Sequence, residues 1–326
     1  MSEGSGARSV LVTGASGLVG RKTVARLAAA ADRPGTLVAL DLREPPAEVR
    51  IPGVVYVAGD VRDPSLAKQL AEHRALVVVH LAAVVTPGRR SSRELEYAID
   101  VLGTRNVVLA CLEAGVRQLV YLSSGAAYGY HADNPVPLRE SDPLRGNQSF
   151  AYAWHKRLVE EELARVRDRH PELAQLVFRP GTILGESVAS PITALFERRF
   201  IVGVAGSEAP FVFIWDDDVA ACIEKGIRER RSGTYNLAGD GAVALPEIAR
   251  RLGKPYLPLP PALLAAVLAA LQRLGLSSRG AEQVDFLRYR PVLSNEKLVR
   301  EFGFTPSLTS EQCFERYRRL RFGSGS

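Results

Sequence analysis

The chain has 326 residues, of which 46% are hydrophobic and 24% are charged, a composition typical of a globular protein in water. This length favours one large domain, or one domain with an appended lobe. The formal net charge is +6, and the basic residues, mostly arginines, are interspersed with acids. We therefore expect solvated helix surfaces and no nucleic-acid partner.

The termini and the cysteines exclude several further classes. The segment Met1–Val10 has no basic head followed by an apolar stretch, so we expect no secretion signal and a cytoplasmic location. The longest apolar run, Ala262–Leu271, is shorter than the roughly 20 residues that cross a bilayer, so we expect no membrane partner. Cys111, Cys222 and Cys313 lie in no CxxC or Cys/His cluster, which predicts buried, reduced thiols and no metal.

Short β-branched apolar runs alternate with helical patterns through the first half of the chain. We expect strands at Ser9–Val12, Leu37–Leu40, Val54–Val57, Leu76–Val79 and Leu119–Leu122. We expect helices at Leu18–Ala31, Ser92–Ala114 and Gln148–Arg169. Near-continuous apolar strands separated by helices are typical of a parallel sheet covered on both faces. The predicted fold class is therefore α/β, with a Rossmann-type doubly wound sheet.

The first strand is followed directly by Thr13–Gly20, which reads TGASGLVG. In such a loop Gly14 permits a tight turn, Gly17 lets the backbone approach a pyrophosphate, and Gly20 allows close helix–strand packing. The helix that follows presents unpaired N–H groups and the positive end of its dipole. We predict that Gly14, Ser16, Gly17, Leu18, Val19 and Gly20 belong to the cofactor-binding site.

An acidic residue closes the second predicted strand, about twenty residues beyond the glycine loop, as in dinucleotide-binding folds. A carboxylate at Asp41 would accept hydrogen bonds from both ribose hydroxyls of NAD and repel the 2′-phosphate of NADP. We therefore predict NAD as the cofactor, with Asp41 and Arg43 at its ribose. Arg43 keeps NADP open as the alternative.

The pattern changes beyond residue 180, where strict alternation decays and prolines gather at 255–261. We expect residues 1–180 to form an NAD-binding domain, to which parts of 211–240 return. Residues 181–322 are expected to form a smaller, mostly helical, mainly substrate-binding lobe. Residues 323–326, rich in glycine and serine, are predicted to be a flexible tail.

Further landmarks in order make the chain similar to the extended short-chain dehydrogenase/reductase family, also described as the NAD-dependent epimerase/dehydratase family. After the glycine loop they are Asp60–Val61, His80–Ala83, Leu122–Gly129, the YxxxK signature Tyr152–Lys156, Arg179–Gly181 and Trp215–Ala220. The resemblance implies further cofactor contacts from Asp60, Val61, Leu81, Ala82, Ala83, Pro180, Gly181 and Thr182. The resemblance depends on the whole set of landmarks in this order, which is far more specific than any single one.

The resemblance also implies that Ser124, Tyr152 and Lys156 are catalytic, and that Tyr152 and Lys156 contact the cofactor. Tyr152 and Lys156 are four residues apart and share one face of a helix. Lowering a phenol pKa from near 10 to about 7 takes roughly 4 kcal/mol. An ammonium about 4 Å away supplies about that much at an effective dielectric near 20. Tyr152 would exchange the carbinol proton while Ser124 holds the substrate oxygen.

Three functions remain open. Gly125 and Ala126 stand where family dehydratases carry acidic residues, which argues against dehydration. Gly181–Ile183 and Ala209–Phe211 stand where nucleotide-sugar members carry an asparagine and an arginine. We therefore favour an NAD-dependent oxidoreductase acting on a secondary alcohol or ketone of apolar character. The alternatives are a UDP-sugar 4-epimerase, whose diphosphate would bind arginines outside the motifs, and a non-catalytic NAD-binding scaffold.

Four further expectations concern single positions and assembly. Asp100 stands where many members of the family have asparagine, so the role of that asparagine is not carried over. His80 is expected to be a core residue, and His155 to point away from Tyr152. The helices at Ser92–Ala114 and Gln148–Arg169 occupy positions that often form a dimer interface in this family, which implies a homodimer.

Overall fold

The structure, a computed structural model, describes residues 8–86, 88, 91–274, 280–281 and 283–323. The strands are β1 Ser9–Thr13, β2 Leu37–Asp41, β3 Val55–Ala58, β4 Ala75–His80, β5 Gln118–Leu122, β6 Ala174–Pro180, β7 Thr182–Leu184, β8 Ile201–Val204, β9 Phe213–Trp215, β10 Gly233–Leu237 and β11 Tyr256–Leu259. The α-helices are α1 Leu18–Ala29, α2 Leu66–Glu72, α3 Arg93–Tyr97, α4 Thr104–Glu113, α5 Ala151–Arg169, α6 Pro191–Glu197, α7 Asp216–Arg228, α8 Leu245–Arg251, α9 Pro261–Arg273, α10 Gln283–Arg288 and α11 Ser310–Phe322.

A seven-stranded sheet in the order β10-β6-β5-β4-β1-β2-β3 forms the centre of the fold. The pairings from β3 through to β6 are parallel, with Val12 opposite Ala39 on one side and Val79 on the other. The chain order reverses direction between β1 and β4, which is the place where doubly wound sheets bind ligands at the carboxyl ends of their strands. The predicted fold class is confirmed.

The strands form where the sequence is β-branched and apolar because both faces of the sheet are covered. Val10, Leu11 and Val12 of β1 are almost fully buried, as are Val77, Val78 and Val79 of β4. Side chains of β1, β2, β4 and β5 share one apolar cluster with those of α2, α4 and α5. The five predicted strands are present, each within two residues of its predicted bounds.

The predicted helix at Ser92–Ala114 is wrong in one respect, because a π-helix at Ala98–Gly103 separates α3 from α4. Within this wider turn the Thr104 hydroxyl donates to the Asp100 carbonyl at 2.6 Å, a side-chain bond that competes with the regular helical ladder. π-Helical turns occur frequently at functional sites. The turn places Asp100, a buried acid, in the interior.

The chain folds into two compact units. Unit 1 comprises Met1–Ser123, His155–Arg179 and Asp216–Tyr235, and unit 2 comprises Ser124–Trp154, Pro180–Trp215 and Asn236–Ser326. The roles expected for the predicted domains, cofactor binding and substrate binding, stay predictions.

Unit 2 is built differently from the sheet. Its strands form two parallel pairs, β7 with β9 and β8 with β11, in addition to the helices expected there. One of its core clusters is rich in aromatic residues, with Phe196 packed edge-on against Phe211 and Phe314. Helix α11 ends at Phe322, with Gly323 as its C-cap residue, and the remaining residues of the predicted tail lie outside the described part of the chain.

Cys111, Cys222 and Cys313 are buried, and burial raises the pKa of Cys111 and Cys222. Among the described residues, no three His, Cys, Asp or Glu side chains are grouped as a metal ion would need. No helix in the described part of the chain has the length and apolar character that crossing a membrane requires.

A buried ion pair joins α5 to β6 within unit 1. The Arg179 guanidinium donates to both carboxylate oxygens of Glu160 at 2.7–3.0 Å, and the Ser123 hydroxyl donates to the same carboxylate. All three residues are buried. Burying this acid is tolerable only because these donors replace its hydration.

Replacing Arg179 with Met should therefore strand the Glu160 carboxylate and lower the free energy of unfolding by about 3–5 kcal/mol. The double variant Arg179→Met/Glu160→Gln removes the stranded charge and should recover much of that loss. Urea unfolding followed by circular dichroism checks both values. Equal destabilisation of the single and double variants would contradict the assignment of the cost to the unpaired charge.

Candidate functional site

The glycine loop after β1 leaves no room for side chains at two positions. Gly14 has φ +66°, and a Cβ on it would lie 2.6 Å from the Ala82 nitrogen. A Cβ on Gly20 would lie 2.1 Å from the Gly14 carbonyl oxygen. The loop backbone is thus pressed against both the start of α1 and the segment after β4, as a tight phosphate-binding turn requires.

The start of α1 is open to an anion. Gly17 is its N-cap residue and makes no side-chain capping bond, and the first turn contains no acidic residue. Leu18 and Val19, in the first turn, are half-buried. The unpaired N–H groups and the helix dipole therefore remain available to phosphate.

The end of β2 lies beside this loop. One oxygen of the Asp41 carboxylate accepts from the Ser16 amide at 2.8 Å, and the other accepts from the Leu42 amide at 2.7 Å. The Arg43 side chain is exposed, and its carbonyl lies 3.5 Å from the Ser16 hydroxyl. Each carboxylate oxygen keeps a lone pair for a further donor, so Asp41 can also accept from a ribose.

The remaining predicted cofactor residues of unit 1 are held by the backbone or by partners of their own. Asp60 pairs with the Arg62 guanidinium, which lowers the pKa of Asp60. The Val61 side chain is buried in the core, and its carbonyl accepts from Asn106 at 2.8 Å. The half-buried segment Leu81, Ala82 and Ala83 continues from β4, where the Leu81 amide donates to the Thr13 carbonyl at 3.2 Å.

His80 is a satisfied core residue, in line with expectation. Its Nδ1 lies 2.7 Å from the Thr13 hydroxyl and its Nε2 lies 2.9 Å from the Thr104 hydroxyl. Burial, helped by the charge of Lys156, lowers the pKa of His80 to about 3. The ring is therefore neutral and carries no titration near neutral pH.

Lys156 lies on α5 with its ammonium buried at the end of β5. Its Nζ donates to the Tyr121 hydroxyl at 3.0 Å and to the Leu122 carbonyl at 2.8 Å, and lies 4.7 Å from the centre of the Tyr121 ring. Burial lowers the pKa of Lys156 to about 8, against the charges of Asp100 and Glu160, which raise it. The side chain is thus mostly protonated at pH 7.

Tyr152 lies one turn before Lys156 on α5, as its spacing predicts. It is half-buried against the apolar cluster of Ala126, Tyr130 and Ala153. The division between the two compact units falls within α5, between Trp154 and His155, so this helix carries Tyr152 in one unit and Lys156 in the other.

The two serines after β5 are held in different ways. Ser123 belongs to the buried Glu160–Arg179 network described above. Ser124 is half-buried and accepts a hydrogen bond from the Ala126 amide at 3.1 Å, which caps the 3₁₀ turn Gly125–Tyr128. A hydroxyl that accepts one bond can still donate another, so Ser124 retains a proton for a substrate oxygen.

The predicted residues at the end of β6 lie in unit 2. Pro180 is buried, the Gly181 amide donates to the Leu237 carbonyl at 2.9 Å, and the Thr182 amide donates to the Val212 carbonyl at 2.9 Å. These bonds fix the backbone of the segment. The Thr182 hydroxyl faces Arg290, a residue that lies in no sequence motif and so gave no signal of its place in the site.

The sequence profile of the NAD dependent epimerase/dehydratase family matches residues 10–238, which span the glycine loop, both serines and the YxxxK helix. The chain belongs to this family. Membership confirms the predicted resemblance and identifies the protein as an enzyme with NAD as its cofactor, rather than as a scaffold. The roles of individual site residues stay predictions.

The sequence relatives are distant. The chain is 25% identical to a protein of Mycobacterium tuberculosis described as uncharacterized, over 96% of this chain and 84% of the relative. It is 32% identical to UDP-glucose 4-epimerase of Erwinia amylovora, over 52% of each chain. It is 28% identical to 3beta-hydroxysteroid-dehydrogenase/decarboxylase isoform 2 of Arabidopsis thaliana, over 57% of this chain and 34% of the relative.

Solved structures share the fold. UDP-glucose 4-epimerase of Thermus thermophilus, in complex with NAD, matches with a TM-score of 0.72 at 23% identity, over 97% of this chain and all of the other. dTDP-glucose 4,6-dehydratase of Bacillus anthracis, also in complex with NAD, matches with a TM-score of 0.73 at 18% identity, over 98% and 97% of the two chains.

The residues present fit NAD. The crowded glycine loop leads directly into α1, whose first-turn N–H groups have no intrahelical partners and suit a pyrophosphate, and Asp41 stands beside the loop with acceptor capacity for ribose hydroxyls. Gly14, Gly17 and the start of α1 would hold the diphosphate, and Asp41 the adenosine ribose.

Replacing Gly20 with Ala should displace the loop, because a Cβ cannot lie 2.1 Å from the Gly14 oxygen. We expect NAD affinity, measured by titration calorimetry, to fall at least about tenfold, equivalent to about 1.4 kcal/mol. Gly88→Ala serves as the control, since no atom of a described residue lies within 4 Å of a Cβ there. Unchanged affinity in a folded Gly20→Ala protein would remove the loop from the cofactor site.

Proposed function

We propose that the protein withdraws hydride from a secondary alcohol carbon of an anionic substrate, for which a nucleotide sugar is the favoured class, and that it acts as a nucleotide-sugar epimerase. The observation that carries the choice of substrate is the environment of Arg290. The epimerase alternative needs an arginine outside the family motifs to bind the substrate diphosphate, and Arg290 would be that arginine.

Arg290 is a partly buried cation that lies over two aromatic rings. Its guanidinium lies 3.9 Å from the centre of the Phe211 ring and 4.7 Å from that of Phe286. Its Nη2 is 3.5 Å from the Thr182 hydroxyl, and its Nη1 is buried with no hydrogen-bond partner in the described part of the chain. Burial lowers the pKa of Arg290 to about 10, and no carboxylate among the described residues pairs with it.

Such a guanidinium is prepared for an anion. An unsatisfied buried donor costs about 1–3 kcal/mol, a cost that a ligand oxygen relieves on binding. The planar fork of arginine matches the paired oxygens of phosphate or carboxylate. Aromatic rings on its faces hold the fork in place without supplying a competing acceptor.

The same part of unit 2 contains the predicted acid/base tyrosine. Phe286, on which Arg290 stacks, packs against the cluster of Ala126, Tyr130 and Ala153, and Tyr152 packs against that cluster too. A substrate with an anionic group at one end and an alcohol at the other suits this arrangement. The named relatives and fold neighbours that act on UDP-glucose support the same class.

In the proposed reaction each residue has one task. Tyr152 accepts the proton of the substrate hydroxyl, and Ser124 donates a hydrogen bond to the same oxygen. Lys156, which carries a positive charge at pH 7, stabilises the phenolate of Tyr152. NAD, when bound, accepts the hydride from the carbinol carbon. Return of the hydride to the opposite face of the carbonyl carbon, with return of the proton from Tyr152 to the carbonyl oxygen, would give the epimer.

Replacing Tyr152 with Phe should lower turnover by about 10²–10⁴-fold and leave NAD affinity within about twofold, because only the acid/base hydroxyl is lost. Tyr56→Phe, which removes a hydroxyl on β3 that accepts from the Ile51 amide, is the matched control. The assay incubates protein with UDP-glucose, UDP-galactose and their hexuronate analogues and measures epimers by chromatography. Substantial turnover by Tyr152→Phe would overturn the catalytic assignment.

Replacing Arg290 with Leu should raise KM for the anionic substrate about 10–100-fold, the equivalent of about 1.5–3 kcal/mol for a charged hydrogen bond. KM for uncharged secondary alcohols should not change, because these substrates have no anionic group to pair with Arg290. Arg300→Leu, at an exposed arginine paired with Glu296, controls for the loss of charge. An unchanged KM for the anionic substrate would contradict the role of Arg290 and, with it, the proposal of a nucleotide-sugar substrate.

Two observations favour a second function, a net dehydrogenase of apolar alcohols. A plant relative is named for 3beta-hydroxysteroid dehydrogenation. Helix α9 is apolar and leaves Leu263 and Val267 about half exposed. The two functions separate in one assay of absorbance at about 340 nm, because a dehydrogenase accumulates NADH with hydroxysteroids, whereas an epimerase shows epimers without NADH.

A further inference from the structure

A buried acid lies directly against the signature helix. One oxygen of Asp100 lies 3.0 Å from Nδ1 of His155, and the other accepts from the Val84 amide at 2.8 Å. Asp100 and His155 are both at most 5% exposed. Asp100 thus joins the backbone of the segment after β4 to the residue that immediately precedes Lys156.

The contacts of Asp100 do not by themselves require a carboxylate. An asparagine would accept from the Val84 amide through its carbonyl and donate to Nδ1 of His155 through its amide. What the acid adds at this position is negative charge. Because a buried charge costs several kcal/mol of solvation, its presence calls for a role that the amide could not fill.

The negative charge of Asp100 acts on Lys156, as the groups around that lysine show. The Tyr121 hydroxyl and the Leu122 carbonyl of β5 contact its ammonium, and the charges of Asp100 of the π-helix and Glu160 of α5 raise its pKa. The ring of His80 of β4 is neutral, and His155, which contacts Asp100, directly precedes Lys156 on α5. The Glu160 carboxylate is matched by the bidentate Arg179 guanidinium. Asp100 contacts a histidine ring and a backbone amide rather than a guanidinium, and its negative charge acts on Lys156.

We propose that Asp100 is a positioning residue that keeps Lys156 in its ammonium form and fixes α5 to the segment after β4. Protonated Lys156 then stabilises the phenolate of Tyr152. This inference rests on the proposed function, which gives Lys156 its task. It explains why an acid occupies a place at which the amide would make the same contacts.

The ionisation of Lys156 can be measured without substrate. The chain has six lysines, so a protein labelled with ¹³Cε-lysine gives a simple spectrum, and Lys156→Met assigns the signal. In Asp100→Asn we expect the pKa of Lys156 to fall by about one unit, the size that a nearby buried charge produces. Glu161→Gln, which removes a partly exposed acid on the same helix, should not move the pKa of Lys156. An unchanged pKa in Asp100→Asn would overturn the proposal; Asp100→Ser provides the same measurement if that variant does not fold.

The pH profile of turnover tests the consequence. Activity that needs the Lys156 ammonium is present below its pKa and lost as pH rises through it, so the basic limb of kcat in Asp100→Asn should move to lower pH by the same amount. A rate that falls equally at every pH would assign Asp100 a packing role and overturn the inference. Failure of the proposed function appears separately, as epimerisation that survives in Tyr152→Phe.

Discussion

Burial of one ammonium group constrains the polar structure around the candidate site. A lysine that leaves water loses solvation worth several kcal/mol, and the protein must either replace it or accept a neutral amine. Lys156 receives two oxygen acceptors and an aromatic face at the end of β5, with Asp100 and Glu160 adding negative charge. These compensations leave its pKa at about 8, so that the group is charged at neutral pH yet weakly solvated. A charged but weakly solvated ammonium of this kind would lower the pKa of the Tyr152 phenol, as the proposed function requires.

The compensation has its own structural requirements, which spread through unit 1. Glu160 is tolerable in the interior because Arg179 and Ser123 donate to it. Asp100 reaches the interior because the helix around it widens into a π-turn. There the Thr104 hydroxyl donates a hydrogen bond to the Asp100 carbonyl. Thr104 also binds His80, whose other nitrogen faces Thr13 at the end of β1. Polar contacts therefore run from the phosphate loop to the signature helix without an exposed step.

Local patterns were enough to predict the sheet, the glycine loop and the YxxxK helix, because each depends on residues close in sequence. β-Branched apolar runs predict the strands. Glycine is required at positions 14 and 20 because nearby backbone leaves no room for a Cβ, and the TGASGLVG spacing is typical of such a tight turn. The π-turn at Asp100 was not predictable, since it depends on which buried partners a side chain meets. Arg290 was missed for the same reason: the rings that flank it, Phe211 and Phe286, are distant from each other in sequence.

The distinction between the two proposed activities is energetic rather than chemical, since both use the same proton and hydride transfers. An epimerase must keep its oxidised substrate until hydride returns, whereas a dehydrogenase must let the ketone leave. Retention needs binding energy remote from the reacting carbon. An unpaired, partly buried guanidinium supplies such energy only to a substrate that carries an anion, because its partner is absent from the protein's described residues. On the proposed function, Arg290 therefore decides not how the carbinol is oxidised but how long the product of that step stays bound.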